Sequence, residues 1–331
     1  MNSEKNTKTE KPLPFPAWES FRWRDMPENP LISPLSGALI KGVVGDPQIL
    51  LPGEADERWH LFAWNNADRP GFSHFTSRNA RQWDFEYNLV WDSGPFYVTN
   101  DGGRWLVYYT RYEPGRTTIC VRSSEDLALW SDPETVLQPE LDWEREGKKI
   151  QVRNPDLCML EDGKFRLYYS AGTVWMDDMG FEEPKYIGVA ESDNPFGPFR
   201  KRKDPIIGPD KKNPHRNHGA GALKIYRYGE YFLGILNGIY LDDHDRSRSA
   251  LNVLLSRDGI DWTEAPYNPF LAPGTGWKKA LVYQLDLRYY QGKLYLFYNA
   301  RDRWLDGREC VGASVLDWNG VIPRKMWRLK K

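Results

Sequence analysis

Five times along the chain an apolar and aromatic run follows a tight turn: ERWHLFAW from Glu57, GRWLVYYT from Gly103, GKFRLYYS from Gly163, GEYFLGIL from Gly229 and GKLYLFYN from Gly292. A second short apolar piece precedes each run (DPQILL, PFYVTN, PDLCML, ALKIYR and LDLRYY), so each pair predicts a β-hairpin. Alternation is incomplete, which suits strands covered on both faces. A third strand-like piece closes every unit on a polar turn carrying an aromatic: FSHFTSRNARQW, ICVRSSEDLALW, IGVAESDNPFGPF, NVLLSRDGIDW and, more weakly, VGASVLDW. Those turns reverse the chain toward a fourth, outer strand. A repeat of roughly 50–60 residues is that of a propeller blade. The pattern predicts an all-β protein, a five-bladed β-propeller with four-stranded antiparallel blades, as one domain over 38–331. Residues 1–37 form an arm that packs on it and feeds its outer edge.

Composition narrows the function. The 331 residues carry 45 basic and 46 acidic side chains, a formal charge of −1, which leaves no basic surplus for nucleic acid. No run of eighteen apolar residues is present, which argues against a membrane-spanning helix. With Trp 15, Tyr 18 and Phe 14 the chain is rich in aromatics, which favour strands and sugar-stacking surfaces. Cys120, Cys158 and Cys310 sit in apolar strand-like stretches and predict buried thiols. The polar start MNSEKNTKTEKPLPFP has no apolar core, so a cytoplasmic location is expected. Phosphate loops, dinucleotide fingerprints, HExxH, CxxC and serine-hydrolase elbows are missing from the sequence, so no cofactor and no catalytic metal are expected. A structural calcium or sodium ion in the channel stays compatible with the fold, and oligomeric state is left open.

In a propeller the innermost strands surround a central channel, so the starts of DPQI, GPFY, NPDL, AGAL and LDLR should converge. Aligning the aromatic runs sets Asp46 level with Asn154, Gln48 with Asp156, and Asp286 close to Asp156. Acids gathered in an aromatic-lined pocket are the equipment for glycosidic bond cleavage, one group protonating the leaving oxygen and another activating water.

At these residues the sequence resembles a family. GDPQILL, RNPDLCMLEDGKFRLYYSAG and the S-x-D-x-x-x-W strands are similar to the five-bladed propeller glycoside hydrolases, family 43 with its relatives in families 32, 62, 117 and 130. The resemblance implies an oligosaccharide or glycoside substrate, cleavage with inversion, and Asp46 as the general base. It makes Asp156, two residues beyond a neutral Asn154, the substitute for a blade-three aspartate, with Arg153 beside it. In blade four, where family 43 would present a glutamate, the chain reads HRNHGAGAL, which makes His218 the titratable candidate for the acid; Asp286 or a loop acid is the other means of completing the set.

Substrate contacts are expected from Arg153, Asn154, Arg216, Trp64, Trp175, Tyr283, Gln284 and Arg301, with Tyr97 and Tyr240 as further aromatic platforms. Loop acids form a reserve: Glu144 and Glu146, Asp177 and Asp178 with Glu182 and Glu183, and Asp242, Asp243 and Asp245. The loop from Val174 to Tyr186 is long enough to fold over the mouth and deliver an acid. Two alternatives stand. The GAGA string resembles family 130, whose phosphorolytic members would need a cation cluster, drawn here from Arg153, Arg216, Lys278, Lys279 and Arg301. A non-catalytic glycan-binding propeller is the other; a WD40 or kelch propeller lacks its signatures.

Overall fold

The computed structural model describes residues 12–34, 42–66 and 71–326. Among these, twenty strands fall into five four-stranded antiparallel sheets. Blade one comprises Val44–Leu50, Trp59–Asn65, Gly71–Ser77 and Asp84–Val90, and blade two Ser93–Asn100, Trp105–Glu113, Arg116–Ser124 and Glu134–Leu137. Blade three has Val152–Met159, Phe165–Met176, Phe181–Ser192 and Arg200–Lys201, and blade four Gly219–Tyr228, Tyr231–Leu241, Ser247–Ser256 and Thr263–Glu264. Each inner strand is buried along nearly its whole length, which explains runs that are apolar without clean alternation.

Blade five is closed from the far end of the chain. Leu281–Tyr290, Lys293–Arg301 and Glu309–Asp317 receive Arg24–Asp25 as their outer strand, with Arg24 opposite Val315 and Asp25 opposite Ser314. Trp18, fully buried, anchors this arm against Trp23, Phe270 and Trp318. Burying so large an aromatic is worth a few kcal/mol, enough to hold a two-residue strand that could not persist alone.

Every inner strand is interrupted near its start by a register shift: at Asp46–Pro47, Gly94–Pro95, Asn154–Pro155, Gly221 and Tyr283–Gln284. A side chain from the neighbouring blade's second strand latches each interruption. Asn299 Oδ1 accepts the Asp46 N–H at 3.2 Å, Trp64 Nε1–H donates to the Ser93 carbonyl at 2.7 Å, and Thr110 Oγ1 accepts the Asn154 N–H at 3.1 Å. Ser170 Oγ–H donates to Gly221 O at 2.6 Å and Asn237 Nδ2–H to Val282 O at 2.9 Å. Polar groups freed by the bulges are thereby satisfied across blade boundaries, which ties the ring together at one level.

Further along the inner strands the channel is filled. Asp156 Oδ2 lies 3.5 Å from Lys224 Nζ, and Asp286 Oδ1 lies 2.8 Å from Lys325 Nζ, all four side chains being buried. Lys325 comes from the segment after blade five, which crosses this end of the channel; the Met159 N–H donates to Met326 O at 2.6 Å, and Arg324 and Arg227 exchange backbone hydrogen bonds. The three cysteines are free and buried. Among the described residues no helix is long and apolar enough to cross a membrane.

On the outer part of blade one, His74 is buried, stacked on Phe62 with centroids 4.4 Å apart, and bonded through Nε2 to His60 Nδ1 at 3.0 Å. Burial, reinforced by the charges of His60 and Arg58, depresses its pKa to about 3. Because the unfolded chain then takes up the proton first, stability is lost as pH falls below the ordinary histidine range. The cost at pH 5 is about 2 kcal/mol relative to pH 7. We expect the Tm difference between the wild type and His74→Phe to move in the variant's favour on acidification from pH 7 to 5; an unchanged difference would show that His74 does not titrate in this way.

Candidate active site

The interruptions of the inner strands build the site. Asp46 and Asn154 occupy equivalent places in blades one and three with φ of 55° and 54°, the left-handed region that Asp and Asn tolerate better than most residues. Blades two and four use glycine there for room: a Cβ on Gly94 would lie 2.7 Å from Tyr112 Oη, and one on Gly221 2.2 Å from Asn237 Oδ1. The glycine of GAGAL is thus explained by close packing of Asn237. Above this ring opens a cavity of about 750 Å³, large enough for a short oligosaccharide.

Among the described residues five acids line it, Glu113 and Glu182 together with Asp46, Glu183 and Glu309, and the last three lie close enough to shift one another. Asp46 comes from the blade-one bulge, Glu309 from the start of blade five's third strand, and Glu183 from the third strand of blade three. Strands Phe165–Met176 and Phe181–Ser192 are the longest among the described residues and bring Glu182 and Glu183 to the cavity wall. Glu309 is held: Arg301 Nη1–H donates to Oε1 at 3.0 Å and Asn299 Nδ2–H to Oε2 at 3.3 Å. Asn299 therefore grips both the Asp46 backbone and the Glu309 carboxylate.

Burial raises the Asp46 pKa to about 7; Glu309 adds to the rise while Arg153 and Lys224 oppose it. Glu183 keeps some contact with the cavity yet sits deep enough that burial also raises it to about 7. Glu309 and Asp46 add to that rise, and Arg153 and Arg301 oppose it. Glu309 is raised by burial and partly restored by its Arg301 pair. The acids are mutually coupled, so their protons belong to the cluster rather than to one residue. A site of this kind holds protonated and ionised carboxyl groups together near neutrality.

Several wall atoms have no hydrogen-bond partner: Asn154 Oδ1, Gln284 Oε1, Tyr283 Oη, Arg153 Nε and Glu182 Oε2. Acceptors dominate, and the Asp46 and Glu183 carboxylates add to them. Trp64, Tyr112 and Phe181 supply apolar wall beside these groups.

Of the residues singled out in the sequence, Asp46, Arg153, Asn154, Trp64, Tyr283, Gln284 and Arg301 line this one cavity. Asp156 and Asp286 do not. The next inward-facing positions after the bulges lie deeper in the channel, where Asp156 also accepts the Ile225 N–H at 3.2 Å and Asp286 the Ile49 N–H at 2.8 Å. His218 precedes the blade-four bulge by three residues and lies off the cavity wall, its Nε2 3.2 Å from the Trp175 carbonyl. Arg216 is spent on Glu264 at 2.9 Å, and Lys278 pairs with Asp25 at 2.5 Å, which removes two cations from the group that a phosphate would need. Lys279 is likewise absent from the wall. Trp175 is 38% exposed and lies outside the lining, its ring 3.4 Å from Lys148 Nζ. Tyr97 is buried in the filled channel with Lys325 over its ring, and Tyr240 packs edge-on against His215.

The reserve acids sort in the same manner. Glu144 is buried against Lys201 and Tyr169, Glu146 pairs with Lys185, and Asp242 with Arg248. Glu182 and Glu183 reach the site, from strands rather than from a loop. Glu309 went unmarked in the sequence, although it faces Arg301 directly across two antiparallel strands. Tyr112 also went unmarked.

No family model matches the sequence, nor does any curated protein sequence. Structures do match. The fold is similar to that of a glycosyl hydrolase from Bacteroides ovatus (TM-score 0.67, 15% identity, covering 95% of this chain and 98% of that one). It is also similar to a structure described under the heading that the GH130 family of mannoside phosphorylases contains glycoside hydrolases targeting β-1,2 mannosidic linkages in Candida mannan (0.68, 13%, 96% and 100%). A third is the catalytic domain of the Coprinopsis cinerea GH62 α-L-arabinofuranosidase (0.65, 16%, 90% and 97%). The structural neighbours of this propeller are thus five-bladed propeller glycoside hydrolases, families 43, 62 and 130 among them.

Proposed function

We propose that the protein is a glycosidase that cleaves a short oligosaccharide or glycoside in the cavity above Asp46. The observation that carries this reading is the cavity wall itself: unpartnered polar atoms, mostly acceptors, surround acids of raised pKa beside aromatic faces. Buried polar atoms without partners are costly unless a ligand supplies them. A sugar does so, since its hydroxyls donate to the acceptors, accept from Arg153 and Tyr283, and leave a CH-rich face for Trp64 or Tyr112.

Asp46 is assigned as the base, set by its bulge at the cavity floor, and Glu183 as the proton donor, carried by the hairpin that overhangs the mouth. With Asp46 ionised and Glu183 protonated, Asp46 draws the proton from water attacking the anomeric carbon, while Glu183 protonates the departing oxygen; the C–O bond breaks and the configuration inverts. Arg301 and Asn299 keep Glu309 in place beside them, and Arg153 steadies the ionised member of the pair.

Glu183→Gln tests the assignment. It should lower kcat about 10²–10³-fold on glycosides with poor leaving groups and far less on nitrophenyl glycosides, whose leaving oxygen needs no proton. Equal losses on both would remove Glu183 from the donor role. Proton NMR of the first product should show the inverted anomer, and in inorganic phosphate the product should remain free sugar; a glycosyl phosphate would instead assign phosphorolysis.

A further inference from the structure

Among the described residues the cavity wall carries five cations and five acids, and three of the cations stand together. On the side facing blades two and three, Lys148, Lys149 and Arg153 follow one another in the segment leading into the blade-three inner strand, and all three line the cavity. None has a carboxylate within ion-pair distance among the described residues, whereas Arg116 beside them is matched by Glu113 at 2.9 Å. Glu182, opposite Trp175 in the long hairpin, pairs with neither lysine. The far rim, at Gly42, Val43, Asn66 and Gly307, is uncharged among the described residues. Trp175 holds the Lys148 ammonium over its ring at 3.4 Å, fixing a long side chain that would otherwise sweep solvent. Arg153 continues the strip downward, its Nε buried and unpartnered.

We propose that the substrate is an acidic oligosaccharide whose carboxylate-bearing residue lies along the Lys148–Lys149 strip, next to the sugar being cleaved. This deepens the glycosidase reading and rests on it. Two lysine heads give a uronic acid a counter-charge, while a neutral sugar there leaves the cations unmatched. The strip lies at the rim, so it selects substrate without touching the reacting atoms. Its charge also draws an anion toward a cavity that is itself lined by five acids.

The test uses digests of acidic polysaccharides (pectic, alginate and glycosaminoglycan) beside the same digests after carboxyl reduction, which turns each uronic acid into its neutral sugar. Wild-type protein should turn over at least one acidic digest with kcat/KM about tenfold above that of its reduced counterpart. Lys148→Ala/Lys149→Ala should bring the two to near parity by raising KM on the acidic form far more than on the reduced form. Raising the salt to 0.5 M, a chosen condition, should have the same effect in the wild type. Equal turnover of native and reduced digests, or an unchanged preference in the double variant, overturns the inference and leaves the glycosidase reading standing. Failure to turn over or bind any glycan in either form overturns both.

Discussion

Asp46→Asn should abolish turnover, by about 10³-fold or more in kcat, and should make the protein more stable. The first effect follows from removing the base: the amide cannot accept the proton of the attacking water, while the αL backbone and the bond to Asn299 remain available to asparagine, as Asn154 shows at the equivalent place. Ligand binding should therefore survive. The second follows from the raised pKa. For an acid whose folded-state pKa lies above its unfolded value, the unfolded chain ionises first, so stability is lost as pH climbs from about 4 through about 7 and the deficit persists above. Replacing the acid by a neutral isostere lifts that deficit, giving a gain of about 4 kcal/mol at pH 8 and a Tm increase of about 6 °C, both nearly vanishing near pH 4. Calorimetry of both proteins at pH 8 and pH 4, with turnover and ligand titration at neutral pH, checks each part. Retained turnover would sink the catalytic assignment; a lower Tm at pH 8 would sink the electrostatic one.

Lys325→Met should destabilise the protein by about 3–5 kcal/mol, the cost of breaking a buried ion pair from one side. Its ammonium lies 2.8 Å from Asp286 and above the Tyr97 and Tyr226 rings; burial lowers its pKa while Asp286 and Asp156 hold it up. Without it Asp286 keeps the hydrogen bonds from the Ile49 N–H and the Tyr226 hydroxyl and the charge of Arg288, but loses its ion pair with Lys325. Asp156, already raised to about 6 by burial against the pull of Lys224 and Lys325, is pushed further upward. Lys325→Met with Asp286→Asn should recover much of the loss, because an apolar or neutral pair asks less of the interior than a single buried charge. Denaturant unfolding of the single and double variants decides it, and equal stability of the two would show that the charges are not coupled.

The blades were legible because each repeats one hairpin-plus-strand pattern, and repetition does not depend on any single residue. The Asp46–Asn154 equivalence was legible for the same reason. What could not be read was depth. Asp156 and Asp286 lie on the proper strands, but the inner-strand bulge shifts the register by one, so a two-residue step from Asn154 leads down the channel instead of around the cavity. His218 stood out because blade four offered no acid at its inner start, yet the cavity receives Glu182 and Glu183 from the long hairpin of blade three. Glu309 was hidden at the edge of the weakest repeat, where only its cross-strand partner Arg301 marks it.

The two-residue strand Arg24–Asp25 has one further consequence. A ring sealed by a strand that precedes its first blade closes late: Arg24–Asp25 is made before any blade and waits, unpaired, until Glu309–Asp317 has been made. Closure of blade five is therefore a clasp between segments made early and late. A truncation that removes the early half of the clasp leaves a bare strand margin on blade five, ready to recruit another molecule.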